Sequence, residues 1–293
     1  PTEEIYRELM GRVNSPTRIK DITSALDERN HSLFHSLTQK VVNRILEIEL
    51  QRGDSETQVT RLAEELHRVY GAETLIRILQ AFGKDTFIRD SYNWRNTKRG
   101  VLSSLLHACY PSPDDDSDTL KSLASQADIS HIRLVEAAMF APQWLELTEK
   151  ATGWKGLESA AYYFHAHTSE CFDDKKKAII ARYTPIAIED LQEGAFDIDW
   201  FKEAYKTIGK ERFEVVYNAA KYISLSNTHT RARKFADAVN GKTKAADAKK
   251  EIIAKRNKDL LMSYGLIPLG RKADKELLER YQFLQKFLKE SKE

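Results

Sequence analysis

The sequence predicts an all-α protein, an α-solenoid or an irregular HEAT- or armadillo-like helical array of about fifteen helices. The chain has 12 glycines and 7 prolines in 293 residues, and strand-rich proteins need more of both for their turns. Apolar residues recur every three or four positions in most segments, which is the helical period. The solenoid interpretation depends on helix number and length, because no sequence repeat of fixed period is present.

The first half contains helical segments separated by glycines or short polar stretches. A stripe from Phe34 to Ile48 predicts a long helix over 32–51, which Gly53 ends. Loops of two or three residues make successive helices antiparallel neighbours. The further predicted helices cover 2–13, 16–28, a segment up to Val69, a segment up to Phe82, and 96–109.

Residues 111–118 form the clearest linker, because Pro111 and Pro113 break the preceding helix and four aspartates follow. We expect this segment to be an internal boundary or a disordered loop whose acids solvate it and cap the next helix. It divides the chain into a helical subdomain over 1–110 and a second over 119–293. Together they would make one continuous array within a larger protein.

The second half contains further helices and no convincing strand. Its last stripe is formed by Leu277, Tyr281, Leu284 and Leu288, and the helical period predicts that this stripe faces the core. The other predicted helices cover 117–126, 130–140, 142–152, 154–169, 173–182, 200–208, 213–223, 231–239 and 245–264.

Composition limits the classes of function. Cys109 and Cys171 are too few for a disulfide framework and fit buried thiols in a reducing compartment. No apolar run approaches the length of a membrane span, and no charged-then-apolar leader is present. We therefore expect a cytoplasmic protein without a membrane partner, cut from a longer chain.

The segment from Ala141 to Cys171 combines aromatic residues, histidines and a thiol. His165 and His167 are two positions apart, which on a helix separates them by about 200°. They cannot easily share a metal ion, and His167 with Cys171 supplies only two of the three or four ligands that zinc requires. A structural role is the favoured interpretation of both histidines.

Two tryptophans in this segment are interpreted as packing anchors at helix junctions. Trp144 follows Pro142, a residue that suits the first turn of a helix. Trp154 follows Gly153, which predicts a Schellman-like helix end with a left-handed glycine. Trp144, Trp154, His165 and His167 are the residues where we would first look for a pocket.

Recognised catalytic patterns are missing from the sequence. His31 and His35 lack the glutamate of the HExxH zinc motif, and the acidic run 114–118 lacks the glycine and distal glutamate of a calcium loop. Glycine-rich phosphate loops and a GxSxG elbow are also absent. The sequence therefore predicts no catalytic residue, no metal and no cofactor, although a site assembled from distant helices stays open.

Positive charge is concentrated near the C-terminal end. Residues 1–150 hold 19 Lys and Arg against 23 Asp and Glu, whereas residues 151–293 hold 27 against 21. The excess lies in 228–259, where basic helices could follow a phosphate backbone or form a solvated face. The candidate nucleic-acid contacts are Arg231, Arg233, Lys234, Lys249, Lys250, Lys255 and Arg256.

Several blocks between residues 130 and 293 resemble one group of proteins. Ala141–Trp144, Gly153-Trp154, Phe164–Thr168, Gly194–Phe201, Lys255–Asp259, Tyr264–Pro268 and Phe287–Lys292 are similar to bacterial molybdate-metabolism-regulator-like proteins. Those proteins often carry a WGR domain, and the Trp-Gly-Arg triplet does not occur in this sequence. The resemblance implies a segment of a large bacterial cytoplasmic protein and carries no established activity.

Three hypotheses for function follow. The preferred one is a non-catalytic scaffold or protein-interaction module, which binds a protein partner or other domains of its parent chain. The alternative is a nucleic-acid-binding module that uses the basic region 228–259. The third is a metal-assisted enzyme around His165, His167 and Cys171.

Overall fold

A computed structural model describes residues 28–89, 96–168, 173–224 and 228–290. Within these ranges the chain forms sixteen α-helices, two short 3₁₀ helices and two strands of two residues each. The all-α prediction is confirmed, while the solenoid arrangement stays a prediction. The predicted helix over 2–13 and nearly all of the one over 16–28 lie outside the described residues.

The helices belong to two compact units, one that ends at Glu158 and one that begins at Ser159. The boundary between these units lies within a helix, and the division into subdomains 1–110 and 119–293 stays a prediction. The elements that begin in the first unit are α1 (Glu28–Leu50), α2 (Thr60–Glu64), β1 (Val69–Tyr70), α3 (Ala72–Phe82), α4 (Lys98–His107), β2 (Cys109–Tyr110), α5 (Ser117–Gln126), α6 (His131–Phe140), a 3₁₀ helix (Pro142–Trp144), α7 (Leu145–Thr152) and α8 (Leu157–Ala166).

The second unit continues with shorter helices. Contacts join α11 to α12, α13 to α15 and α14 to α15. The elements are α9 (Asp174–Ile180), α10 (Ile188–Glu193), α11 (Ile198–Ile208), α12 (Lys210–Ala219), a 3₁₀ helix (Ala220–Tyr222), α13 (His229–Val239), α14 (Ala245–Lys255), α15 (Lys258–Tyr264) and α16 (Ala273–Glu290).

Polar side chains begin many of these helices. Asp116 accepts a hydrogen bond from Thr119 N at the start of α5, and Ser130 accepts one from Arg133 N at the start of α6. Asp173, Asp197 and Asn257 do the same at α9, α11 and α15. Each bond satisfies an amide that has no partner inside its helix.

The acidic segment 111–118 is an ordered connection. Asp115 Oδ2 accepts hydrogen bonds from Ser112 N at 2.7 Å and from Ala72 N, in the first turn of α3, at 2.9 Å. The expectation of a disordered loop is wrong here, because Asp115 ties the segment to the amide end of another helix. The expectation that its acids cap the following helix is confirmed at Asp116.

The two strands were not predicted. Val69 pairs with Cys109 and Tyr70 with Tyr110 in parallel, and Gly71 N donates to Tyr110 O at 3.0 Å. Gly71 has a φ of +104°, so this link requires backbone that only glycine adopts readily. A strand of two residues is too short for a periodic pattern, and Val69 and Cys109 were predicted to be the last residues of helices.

A buried ion pair stabilises the first unit. The Arg52 Nη1 atom donates to Glu49 Oε1 at 2.5 Å, with both side chains almost fully buried. Thr57 and Thr60 donate further hydrogen bonds to the Glu49 carboxylate, and Arg52 Nη2 donates to Asn96 O at 2.8 Å. The network joins the C-terminal end of α1 to the residues before α2 and α4.

The final helix buries a different face from the predicted one. Arg280 and Phe283 are its buried residues, whereas Leu277, Tyr281 and Leu288 are exposed. Arg280 Nη1 donates to Ile267 O at 2.5 Å and to Tyr264 O, and Nη2 donates to Pro268 O. The predicted burial of the 277/281/288 stripe is therefore wrong, because these hydrogen bonds turn α16 so that Arg280 faces the protein.

We predict that Glu49→Ala lowers the free energy of unfolding by about 3 kcal/mol or more, since it leaves a buried guanidinium without its carboxylate. Urea unfolding followed by circular dichroism measures the loss. Glu47→Ala is the matched control, because Glu47 pairs with Arg44 at the same spacing on the same helix but on its exposed surface, where we expect a loss below about 0.5 kcal/mol. Equal losses would contradict the prediction.

Candidate interaction groove

The tryptophans of the 141–171 segment are fixed in the first unit. Trp144 is fully buried and its Nε1 donates to Cys109 O at 2.7 Å. At the end of α7, Gly153 is left-handed, Gly153 N donates to Lys150 O, and Trp154 N donates to Glu149 O. This is the hydrogen-bond pair of a Schellman motif, so that prediction is confirmed, and both indoles serve packing.

The histidines of the segment lie in the core of the second unit. His165 and His167 are both fully buried on or just after α8, and Cys171 lies outside the described residues. His167 Nδ1 lies 2.7 Å from Tyr163 O, so this nitrogen carries the proton and donates it to the carbonyl. Among the described residues no group of three His, Cys, Asp or Glu side chains is placed to hold a metal ion.

His167 is surrounded by aromatic rings. Its ring centroid is 4.6 Å from Tyr163, 5.1 Å from Phe196 and 6.1 Å from both Trp200 and Phe235. Its Nε2 is buried and accepts no hydrogen bond within the described part of the chain. Burial therefore lowers the pKa of His167 from 6.5 to about 4, which keeps the ring neutral at pH 7.

The thiol of Cys109 is equally unsuited to chemistry. It is fully buried next to the strand pair, and its Sγ lies 3.9 Å from Gly71 O. Burial, followed by the charge of Asp115, raises the pKa of this thiol far above its usual value. A thiol without a thiolate form is unreactive, and the sequence-based expectation of a buried thiol is confirmed at Cys109.

Three of the seven predicted nucleic-acid contacts are used within the protein. Arg231 Nε donates to Asp259 Oδ1 at 3.1 Å and its Nη1 donates to Gln192 O at 2.5 Å. Arg233 donates to the carbonyls of Tyr217 and Asn218, both at 2.9 Å, in the last turn of α12. Lys234 lies 3.8 Å from Asp259. These half-buried cations satisfy helix-end carbonyls or carboxylates, which leaves few donors for a phosphate.

The other four contacts lie on the exposed side of α14 or at its end. Lys249, Lys250, Lys255 and Arg256 are all exposed, and Lys255 pairs with Glu251 one turn earlier. Within the described residues, neither Lys249 nor Lys250 forms an ion pair. The structure thus separates the predicted basic region into an internal half on α13 and an exposed half on α14.

A groove of about 460 Å³ runs between α14 and α16. Its floor is apolar, with Phe283 and Phe287 from α16 and Ile253 from α14. Phe283 also belongs to a small core with Ala248, Ile252 and Tyr264, so the floor is continuous with packed protein. The polar lining consists of Lys249, Arg256, Glu279, Gln282, Lys286 and Glu290.

Charges are arranged along the walls of the groove. The Lys249 ammonium lies 5.0 Å from the centre of the Phe283 ring, and the Arg256 guanidinium lies 4.8 Å from that of Phe287. Glu290 pairs with Lys286 at 3.7 Å. Two cations therefore lie within cation–π distance of the two aromatic rings of the floor.

The sequence analysis found the α14 wall of this groove but missed its α16 wall. Phe283 and Phe287 are spaced by four residues, which was a usable signal of a second helix face beside the stripe of Leu277 and Tyr281. Choosing between the two faces required knowing that Arg280 is buried. Trp144, Trp154, His165 and His167, the predicted first places for a pocket, do not line the groove.

We predict that His167 makes the protein less stable as the pH falls from 6.5 to 4. Between pH 6.5 and about pH 4, His167 becomes protonated in the unfolded chain but stays neutral in the folded chain. The loss can reach about 3 kcal/mol. Urea unfolding at several pH values should show a shallower decline for His167→Phe, whose ring suits the aromatic surroundings.

His67→Gln is the control for this experiment, because His67 is exposed and the substitution also removes one imidazole. It should leave the decline unchanged. An identical pH dependence in the parent protein and His167→Phe would show that His167 ionises normally.

No described helix is both long and apolar enough to cross a membrane.

Comparison with known proteins gives one match, which is to a family model. Neither a curated protein nor a solved structure matches the chain. The model of a family of unknown function, DUF5724, matches residues 1–293, and the chain therefore belongs to that family.

Proposed function

We propose that this protein is a helical scaffold whose second unit binds an acidic amphipathic helix of a protein partner in the groove between α14 and α16. The observation that carries the proposal is Ile253, which is 59% exposed in a groove with an aromatic floor and a cationic wall on α14. An isoleucine exposed in this setting is apolar surface that a partner can cover.

The shape of the groove fits a helix. Two helical walls and an apolar floor are the elements of helix-in-groove recognition, in which anchors at i, i+3 or i+4 and i+7 enter the floor. Phe283, Phe287 and Ile253 would receive these anchors. The groove is within the size range of ordinary ligand sites, so a partner would add contacts along the exposed side of α14.

The sign of the partner's charge follows from the walls. Lys249 and Arg256 line one wall, and Lys250 and Lys255 are exposed on the same helix. Carboxylates on the partner would meet these cations, and complementary charge raises the association rate and fixes the register. Lys249 and Lys250 need no internal ion pair to be broken first.

Nucleic acid is the second candidate, because four exposed cations follow one helix. Against it stand the internal roles of Arg231 and Arg233, whose guanidinium groups already bind a carboxylate or backbone carbonyls. The metal-assisted enzyme receives no support from the described residues. A place in a bacterial cytoplasm, as part of a large protein, rests on the resemblance to molybdate-metabolism-regulator-like proteins.

We predict that the double variant Lys249→Glu, Arg256→Glu binds an acidic amphipathic helix at least about tenfold more weakly than the parent does. The probe is a fluorescent designed peptide with leucines at i, i+3, i+4 and i+7 and glutamates elsewhere, measured by fluorescence anisotropy. Ile253→Ser should also weaken binding, because it removes an apolar contact without a change of charge.

Lys202→Glu, Lys206→Glu on the exposed side of α11 is the matched control, with an equal change in net charge and no expected effect. A peptide of the same pattern with lysines in place of glutamates tests the sign of the charge, and a single-stranded oligonucleotide tests the second candidate. Tight, steeply salt-dependent binding of the oligonucleotide with none of the acidic peptide would contradict the proposal.

A further inference from the structure

The final helix has a second apolar face that is largely exposed. Leu277, Leu278, Tyr281 and Leu288 are 57%, 56%, 59% and 53% exposed. Four large apolar side chains on one side of a helix make a patch of a few hundred Å², which in soluble proteins indicates an interaction surface. The groove residues of α16 lie on another side, because Phe283 and Phe287 project about 90° or more from Tyr281.

The spacing of this face is that of a coiled-coil seam. Leu277, Tyr281, Leu284 and Leu288 follow one another at intervals of four, three and four residues, which is the alternation of d and a positions over two heptads. Leu284 is half-buried against the small core and joins the seam to the protein. A partner helix with the same spacing would fit this face.

The charges of α16 identify that partner helix. Lys275 pairs with Glu279, Glu276 with Arg280, and Lys286 with Glu290. Among the residues that the structure describes, Asp274 and Lys289 are the two charged side chains of α16 that form no ion pair. They have opposite signs and lie at opposite ends of the exposed face.

We propose that the exposed face of α16 binds the same face of a second copy of this chain in an antiparallel arrangement. A two-fold axis at the level of Gln282 and Phe283 along the helix places Leu277 of each copy beside Leu288 of the other. The same axis brings Asp274 of each copy close to Lys289 of the other. A two-fold interface requires a self-complementary surface, and this face satisfies that requirement in both apolar spacing and charge.

The size of the surface sets the strength of the dimer. Two heptads of seam bury less than the roughly 1,200 Å² of a standard stable interface. The association is therefore weak and depends on concentration. Because the groove lies on another side of α16, both copies keep it accessible, and self-association would present two grooves to a partner with two binding segments.

Sedimentation equilibrium of the whole chain over a wide concentration range tests the proposal. The weight-average mass should rise from 33.7 kDa toward twice that value. Tyr281→Glu should remove the rise, and because Tyr281 is exposed the variant should keep the parent's circular dichroism and unfolding midpoint. The groove variant Lys249→Glu, Arg256→Glu should still dimerise, which separates this inference from the proposed function.

Charge exchange tests the antiparallel register. Asp274→Lys alone and Lys289→Asp alone each put like charges together twice per dimer and should lower the association constant about three- to tenfold. The double variant Asp274→Lys, Lys289→Asp should restore it to within about twofold of the parent, because the ion pairs are re-formed with exchanged signs. A chain that stays monomeric, a dimer that survives Tyr281→Glu, or a double variant without recovery would each overturn the proposal.

Discussion

Buried carbonyl groups at helix ends and in the connections between helices constrain this structure. Each helix leaves its last carbonyls without an internal partner, and burying a carbonyl unpaired is costly. Arginine side chains satisfy several of these groups, since one guanidinium can reach two or three oxygens. In the last turns of helices the bonds run from Arg89 to Phe140 O, from Arg231 to Gln192 O, and from Arg233 to Tyr217 O and Asn218 O. In connections they run from Arg52 to Asn96 O, from Arg133 to Asp85 O, and from Arg280 to Ile267 O and Pro268 O.

These arginines explain which parts of the structure the sequence could predict. Local chemistry was sufficient for the all-α class, for Asp116 as a helix cap and for the turn at Gly153 and Trp154, because each depends on neighbours in sequence. The buried arginines depend on carbonyls up to 51 residues away, which no local pattern shows. Arg231 and Arg233 were therefore counted as surface charge, although both serve inside the second unit.

The same limit explains the two candidate surfaces. The exposed lysines of α14 were predicted, but the aromatic floor beneath them comes from a helix about thirty residues later in the chain. Periodicity assigned the stripe of Leu277, Tyr281 and Leu288 to the core of α16, and the face of Phe283 and Phe287 was missed. The structure differs because Arg280, which lies between the two faces, donates hydrogen bonds to the carbonyls of Tyr264, Ile267 and Pro268. These bonds turn the face of Phe283 toward the protein. Both the groove and the exposed seam follow from this one orientation.

Both surfaces therefore depend on the orientation of α16, which cysteine labelling along the helix measures. Single cysteines at positions 281, 283 and 288 would react with a maleimide at low protein concentration, with the parent protein as the reference for Cys109 and Cys171. The account predicts fast labelling at 281 and 288 and slow labelling at 283, as exposure of Tyr281 and Leu288 and burial of Phe283 require. Fast labelling at 283 with protection at 281 and 288 would contradict it, because α16 would then bury the regular stripe and neither surface would exist.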